Sequence, residues 1–357
     1  MPGLLVPSSA ALADETVVVL DWAESLEITT YDTVLTGEHA GETIFAHVGD
    51  SSVQFFTFDP TDSTADPNNF FGFPHGLSFS SDFTVRWVRL DAVAGIFLIY
   101  VEDDSGDDIL SVYKVTNFFD EDLAEVLEPT TLTFNAYRSI NRQVGDLAFG
   151  ANHLFVPDVR GVARYAVSRT TGSVSADDLE YLSLPGAKTR DWTNAWIRCS
   201  PLETLCVAVN LNEIFVIVHT LSSTGSGLYD AVIHQHLLLP DLQSVTAATN
   251  RDPPNSPISF SPDGTTVAII AAPRPANDPL SGLALPETIH LFEIQKANGT
   301  LLHRASQEVG AAIQGGLTWR PDSRSILFLL DNTTLVDWTL YAPAGAPTMM
   351  PTSRSDM

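Results

Sequence analysis

Positive charge is what this sequence has least of. Lys114, Lys188 and Lys296 are its only lysines, and 18 basic residues face 44 acidic ones, for a net charge of −26. So acidic a chain repels polyanions, which argues against nucleic acid and against anionic membranes as partners. Long apolar runs are missing as well. None approaches the ~20 residues that cross a bilayer as a helix, although 44% of the 357 residues are hydrophobic, enough for a large core. A Gly-x-Ser-x-Gly nucleophile elbow is absent. The acidic stretch Glu102-Asp-Asp-Ser-Gly-Asp-Asp108 lacks the ligand spacing of an EF-hand and reads as a solvated turn. His234 and His236 alternate on one strand with no third ligand in reach, so zinc is unsupported.

Cysteine is reduced to Cys199 and Cys206, which flank the turn Pro201–Thr204. If Ser200 faces Leu205 across a hairpin, Cys199 faces Cys206. Opposed residues on antiparallel strands are close enough for a disulfide, and two buried thiols are the alternative. Ala11-Leu-Ala13 has the small-x-small form of a signal-peptidase site, without a charged region before it. Asn298-Gly-Thr300 and Asn332-Thr-Thr334 are glycosylation sequons. Together with the low lysine content, the signal-like stretch and the sequons tilt the reading toward secretion; the acidity itself reads as a secreted or salt-exposed protein or as plain solubility.

What is present is a repeated phrase. Ile258-Ser-Phe-Ser-Pro-Asp-Gly264 leads into the apolar run Val267–Ala271, and Leu317-Thr-Trp-Arg-Pro-Asp-Ser323 into Ile326–Leu330. Trp196-Ile-Arg-Cys-Ser-Pro201 leads into Leu205–Val209, with looser copies from Leu147 and Trp87. The anchors Trp87, Leu147, Trp196, Ile258 and Leu317 stand 60, 49, 62 and 59 residues apart. Each copy is a short strand, a tight turn and a second strand buried on both faces. Several strands per unit at that period indicate an all-β fold, a β-propeller of four-stranded antiparallel blades. Six blades fit the period; seven would need one hidden in a segment read here as a single blade.

The first unit takes Leu26–Tyr31, Thr43–Val48, Val53–Phe58 and Gly76–Ser80, and the second Trp87–Leu90, Ile96–Val101, Ile109–Val115 and Thr131–Phe134. The third runs from Asp146 to Leu184, the fourth from Ala195 to Leu239 and the fifth from Pro257 to Gln307. The sixth has only Leu317–Arg320, Ile326–Leu330 and Leu335–Leu340. Thr16–Asp21 has no other home, so it is expected to pair beside Leu335–Leu340 and close the ring, removing an exposed edge. The propeller domain is thus expected over 15–341, between a flexible N-terminus or signal remnant (1–14) and a disordered tail (342–357). Asp120–Leu127 is expected to form a helical turn or two.

In a propeller the loops leading into the inner strands crowd one face, and the Pro-Asp-Gly turns lie on the other. Asp263 and Asp322 are therefore read as turn formers. The lead-in loops carry the candidate chemistry. Arg142, Arg190 and Arg251 recur in Asn/Thr-Arg-Asp/Gln phrases at matching points, as bidentate donors toward an anionic or carbonyl ligand or as ties to their neighbouring Asp191 and Asp252. Asp146 or Asp191 is the candidate proton carrier. Trp22, Glu24, Arg86, Trp87, Trp192, Asn194, Trp196, Asn255 and Gln314 are candidate substrate-binding residues in or beside these loops. Their tryptophans are read as stacking platforms, with core filling the commoner role for at least half of them. The long connection Pro273–Glu287 is a lid or a tolerated insertion.

Pro254-Asn-Ser-Pro-Ile-Ser-Phe-Ser-Pro-Asp-Gly264 resembles a phrase of the gluconolactonase and strictosidine-synthase-like six-bladed propellers. That resemblance covers about 70 residues. It implies that Asn255 stands at a metal-binding Asn and Glu24 at a first-blade acid. Gln314 stands where an Asp is expected, so no metal is expected, and no cofactor. Metal-free relatives of this kind, and the fungal propeller-type hetero-Diels–Alderases of tropolone pathways, use the same funnel for condensation or cycloaddition. The resulting expectation is a secreted, metal-independent enzyme that dehydrates, cyclises or joins an apolar, partly aromatic natural product, with a small-molecule substrate as its partner and its oligomeric state left open. The alternatives are a metal-dependent lactone hydrolase and a noncatalytic scaffold that binds protein on a propeller face.

Overall fold

A computed structural model describes 26 strands between Leu12 and Leu340. It also describes residues 182, 192, 195, 200, 211–212, 239–240, 243–245, 256–257, 261–265, 272–273, 287, 298–299, 309, 313, 320–324 and 330 of their connections, with side chains for part of these from Ala148 onward. The described strands assemble into six antiparallel sheets, each following its neighbour in sequence.

The first sheet is Ile28–Thr33, Thr43–Val48 and Ser52–Phe58, with Phe71–Gly72 and Leu77–Ser78 both against its third strand. The second is Phe83–Asp91, Ile96–Asp103 and Asp108–Thr116, flanked by Glu125–Val126 and Thr130–Thr133. The third is Ala148–Gly150, His153–Asp158, Gly161–Val167 and Val174–Tyr181. The fourth is Trp196–Cys199, Leu205–Asn210, Glu213–Leu221 and Tyr229–Leu238. The fifth is Ile258–Phe260, Thr266–Ala271, Thr288–Gln295 and Thr300–Glu308. The sixth is Gln314–Trp319, Ser325–Leu329 and Thr334–Leu340, completed by Leu12–Val19 from the other end of the chain. Inner strands of successive sheets touch from the fifth through the sixth and first to the second, and from the third to the fifth; outer strands join the second sheet to the third. This is a β-propeller.

In the fourth, fifth and sixth sheets the second strands are apolar without alternation because both their faces are covered. All of Leu205–Asn210 and all of Ser325–Leu329 are buried. In the fifth sheet Val267, Ile269 and Ala271 pack toward the fourth with Val207, Val209 and Trp196, while Ala268 and Ile270 pack toward the sixth with Ile326 and Phe328. Sheet faces that cannot meet water must meet another sheet, and a ring meets that demand for every member.

The turn phrase has a local cause. The Gly264 N–H donates to the Ser261 carbonyl, and the Thr265 N–H to Asp263 Oδ1 at 2.9 Å, while Gly264 takes φ 64°. In the sixth sheet the Arg324 N–H donates to Asp322 Oδ1 at 2.7 Å, and Ser323 holds the same left-handed slot at φ 57°. Asp263 and Asp322 are turn formers, as expected. The expected helix at Asp120–Leu127 is corrected: Glu125–Val126 is a strand against Thr116 and Val115.

The closing strand pairs as expected with the last third-position strand, in the register Thr16↔Asp337 and Val18↔Leu335. It begins earlier than expected, at Leu12, and ends at Val19, because Val19 already faces Thr334, where its partner begins. Cys199 and Cys206 are direct partners with Cα atoms 3.9 Å apart, and they form a disulfide.

Two outcomes follow. Removing residues 1–19 leaves Thr334–Leu340 as a bare edge, so light scattering should show concentration-dependent association and thermal melts should lose cooperativity. Replacing both cysteines by serine should lower unfolding free energy by about 2–3 kcal/mol, the value for a loop this short, read from urea melts.

Candidate functional site

The lead-in face is organised by groups that tie one sheet to the next. Gln243, in the connection from the fourth sheet to the fifth, is nearly buried. Its Nε2 donates to Thr288 Oγ1 at 3.2 Å, and its Oε1 lies 2.6 Å from His290 Nε2. An amide oxygen only accepts, so His290 Nε2 carries the proton. His290 Nδ1 meets Ser306 Oγ at 2.8 Å, and Ser306 Oγ also meets His303 Nε2 at 2.8 Å. This chain runs from the exposed outer strand of the fifth sheet to the buried seam with the fourth. Glu287, 1% exposed, accepts the Ile313 N–H through Oε2 at 2.6 Å and fixes the lead-in to the sixth sheet. Farther out, Gln235 accepts from the Leu301 N–H at 2.7 Å and donates to the Leu301 carbonyl at 3.2 Å, lacing the fourth outer strand to the fifth. His234 and His236 are engaged separately, with Thr300 Oγ1 and with Glu213 Oε1.

The tryptophans of this region are wedges between sheets. Trp192 is fully buried between the third and fourth sheets, its ring 5.1 Å from that of Phe215; its Nε1 has no hydrogen-bond partner. Trp196 fills the seam between the fourth and fifth sheets, and Trp319 the seam between the fifth and sixth, where its Nε1 donates to the Ser259 carbonyl at 3.3 Å. Rings so enclosed have no face left for a ligand to stack on. Trp87 and Arg86 lie on the inner strand Phe83–Asp91, whose pairing shifts between Val85 and Trp87. Gln314 opens its own inner strand, where pairing shifts again before Thr318. Trp22, Glu24, Arg142, Asp146, Arg190, Asp191, Asn194, Arg251 and Asn255 lie outside the described residues, as do residues 274–286 of the expected lid.

Sequence reasoning missed a different feature of the same face. Among the described residues the exposed large hydrophobics are Tyr181 at 37%, Leu211 at 50% and Leu238 at 58%. All three sit at the lead-in end. Tyr181 and Leu238 are topological equivalents: the residue after each, Leu182 or Leu239, is buried and donates its N–H to the start of the third strand, at Val162 or Asn212. In the fifth sheet Val309 makes the same bond to Glu287, which puts the exposed acid Glu308 at the equivalent point. Leu211 occupies the two-residue turn between Asn210 and Glu213 at φ 57°. Glycine or asparagine is usual there, since a Cβ in that region costs about 1–2 kcal/mol. Two signals were available in the sequence: a Leu-Asn pair where a turn expects glycine, and the consecutive Leu237, Leu238 and Leu239 at a strand end.

No protein-family model matches this chain, and no curated protein sequence matches it either. Solved structures do match. A functionally unknown protein from Desulfotomaculum acetoxidans DSM 771 aligns with TM-score 0.50 at 11% identity, over 88% of this chain and 86% of its own. The Cps50 (Swd1) β-propeller domain of Myceliophteria thermophila aligns with TM-score 0.49 at 12% identity, over 88% and 83%. A chain of the Mitotic Checkpoint Complex aligns with TM-score 0.44 at 9% identity, over 96% and 97%. Identities this low speak to fold alone. The expectation of a small-molecule substrate as the partner is corrected here: these neighbours include a propeller domain and a chain from an assembly of proteins.

The seam chemistry yields one expected outcome. Gln243→Leu takes both an acceptor and a donor from buried His290 and Thr288, so unfolding free energy should fall by about 1–3 kcal/mol, measured by urea denaturation.

Proposed function

We propose that this protein is a secreted, noncatalytic scaffold, a ring of six blades that binds another protein on its lead-in face. The observation that carries this reading is the placement of the exposed apolar side chains: Tyr181, Leu211 and Leu238 all stand at that face, on adjacent sheets. Exposed apolar side chains on one face favour contact with another protein. The burial of Trp192 and Trp196 in the seams supports the same reading, since it takes two of the four expected stacking platforms out of the funnel. The phrase shared with gluconolactonase-type propellers is accounted for by the hydrogen bonds of its turn and supports the fold rather than their chemistry.

Secretion is part of the proposal. A disulfide between Cys199 and Cys206 suits an oxidising compartment. The sequon at Asn298 stands exposed in the turn between the third and outer strands of the fifth sheet, with Asn298 Oδ1 accepting the Thr300 N–H at 3.0 Å. That turn is on the face opposite the lead-in loops, so a glycan there would leave the binding face clear.

The experiment is affinity capture from the secreted fraction of the source organism, with cross-links mapped by mass spectrometry. Wild-type protein should hold a partner that cross-links around Tyr181 and Leu238. Leu238→Lys should lose that partner while its melting curve stays within about 0.5 kcal/mol of wild type, as for a surface change. Capture of the same partner by the variant, or of no protein by either, overturns the proposal.

A further inference from the structure

We infer that the docked segment of the partner is an apolar stretch flanked by lysine or arginine, anchored on the Leu211 turn with its basic end toward the fifth sheet. The inference rests on the protein-binding reading above and names the chemistry of what binds. Its first support is the conformation of Leu211. A leucine that is half exposed and held at φ 57° is unfavourable twice over: its Cβ crowds the backbone, and its side chain meets water. Glycine would relieve both. The Leu211 carbonyl accepts the Val245 N–H, a bond any residue could make, so the fold itself gives no reason for leucine. Backbone strain that the fold does not require points to a contact the side chain makes elsewhere.

The second support is the order of residues along the rim. At one equivalent position the third, fourth and fifth sheets present Tyr181, Leu238 and Glu308. Leu211 stands beside Leu238, because Glu213, two residues after Leu211, is the cross-strand partner of Leu238. Glu213 stands at the base of the Leu211 turn, and Glu308 holds the point on the next sheet equivalent to Leu238. The whole chain carries a net charge of −26, so its field draws cationic segments and repels acidic ones. An apolar anchor accompanied by these acids fits a segment of complementary pattern: apolar side chains over Leu211 and Leu238, cations over Glu308.

The test uses the full chain and a displayed library of random 12-residue peptides as the probe. Selection on wild-type protein should enrich sequences with clustered Leu, Ile, Phe or Trp next to Lys or Arg. For a synthetic peptide from that pool, Leu238→Ser should weaken binding about tenfold or more, the equivalent of one leucine side chain left in water. Glu308→Lys should weaken it several-fold and flatten its salt dependence. Leu211→Gly should do two opposite things: raise the unfolding midpoint and weaken the peptide about tenfold. A leucine kept only for folding would not separate these readouts. Enrichment of acidic peptides, or equal affinity for wild type and for Leu211→Gly, overturns the inference. If a partner protein is captured but its cross-links map away from Leu211 and Leu238, the rim assignment falls while protein binding stands. If neither protein nor peptide binds, both fall.

Discussion

The sheets whose burial is described, the third to the sixth, have two faces to bury, and that requirement governs the rest. A strand such as Leu205–Asn210 cannot leave either side in water, so each sheet needs a neighbour on both flanks. A linear stack of such sheets would always end in two wet faces. Bending the stack into a ring removes the ends, and the clusters between the third and fourth, fourth and fifth, and fifth and sixth sheets show what fills the seams. Hydrophobic burial supplies the driving force. Directional contacts then set how the sheets align: Gln235 on the Leu301 backbone, Arg198 Nε on the Ile258 carbonyl, the Asp263 N–H on Ser323 Oγ.

Once the seams are filled, the tryptophans have no second role to play there. Burial of Trp192 even leaves its Nε1 without a partner, an energetic concession to packing. Three described polar side chains of the lead-in face, Gln243, His290 and Glu287, are likewise occupied. They bind backbone or one another across seams, and their effect is to hold the lead-in segments of the fifth and sixth sheets. Among the described residues, the large apolar side chains left exposed are Tyr181, Leu211 and Leu238.

The repeat was legible because its cause is local. Pro-Asp-Gly fixes a turn, an apolar run follows, and the distance to the next copy is one blade. The closing strand was legible by subtraction, since a six-residue apolar stretch at the start had no partner and the last unit lacked a strand. Its bounds were not, because register depends on where Thr334 begins. Leu238 escaped notice for a related reason. Where both sheet faces are buried, apolar residues do not alternate with polar ones, and a run of three leucines gives no sign of which one looks outward. Arg142, Arg190 and Arg251, which the sequence reading placed in lead-in loops, lie outside the described residues.

The strand that completes the last sheet is made before the other described strands. Val17 must find Val336, so its partner leaves the ribosome only after the five intervening sheets are synthesised. At ~10 residues per second that interval is roughly half a minute. Throughout it Leu12–Val19 has no native place to go, and each newly made sheet has one face waiting for the next. Maturation is therefore gated by the last strand: a chain halted before Thr334 cannot become a shorter propeller, and it stays recognisable as unfinished to whatever inspects nascent proteins.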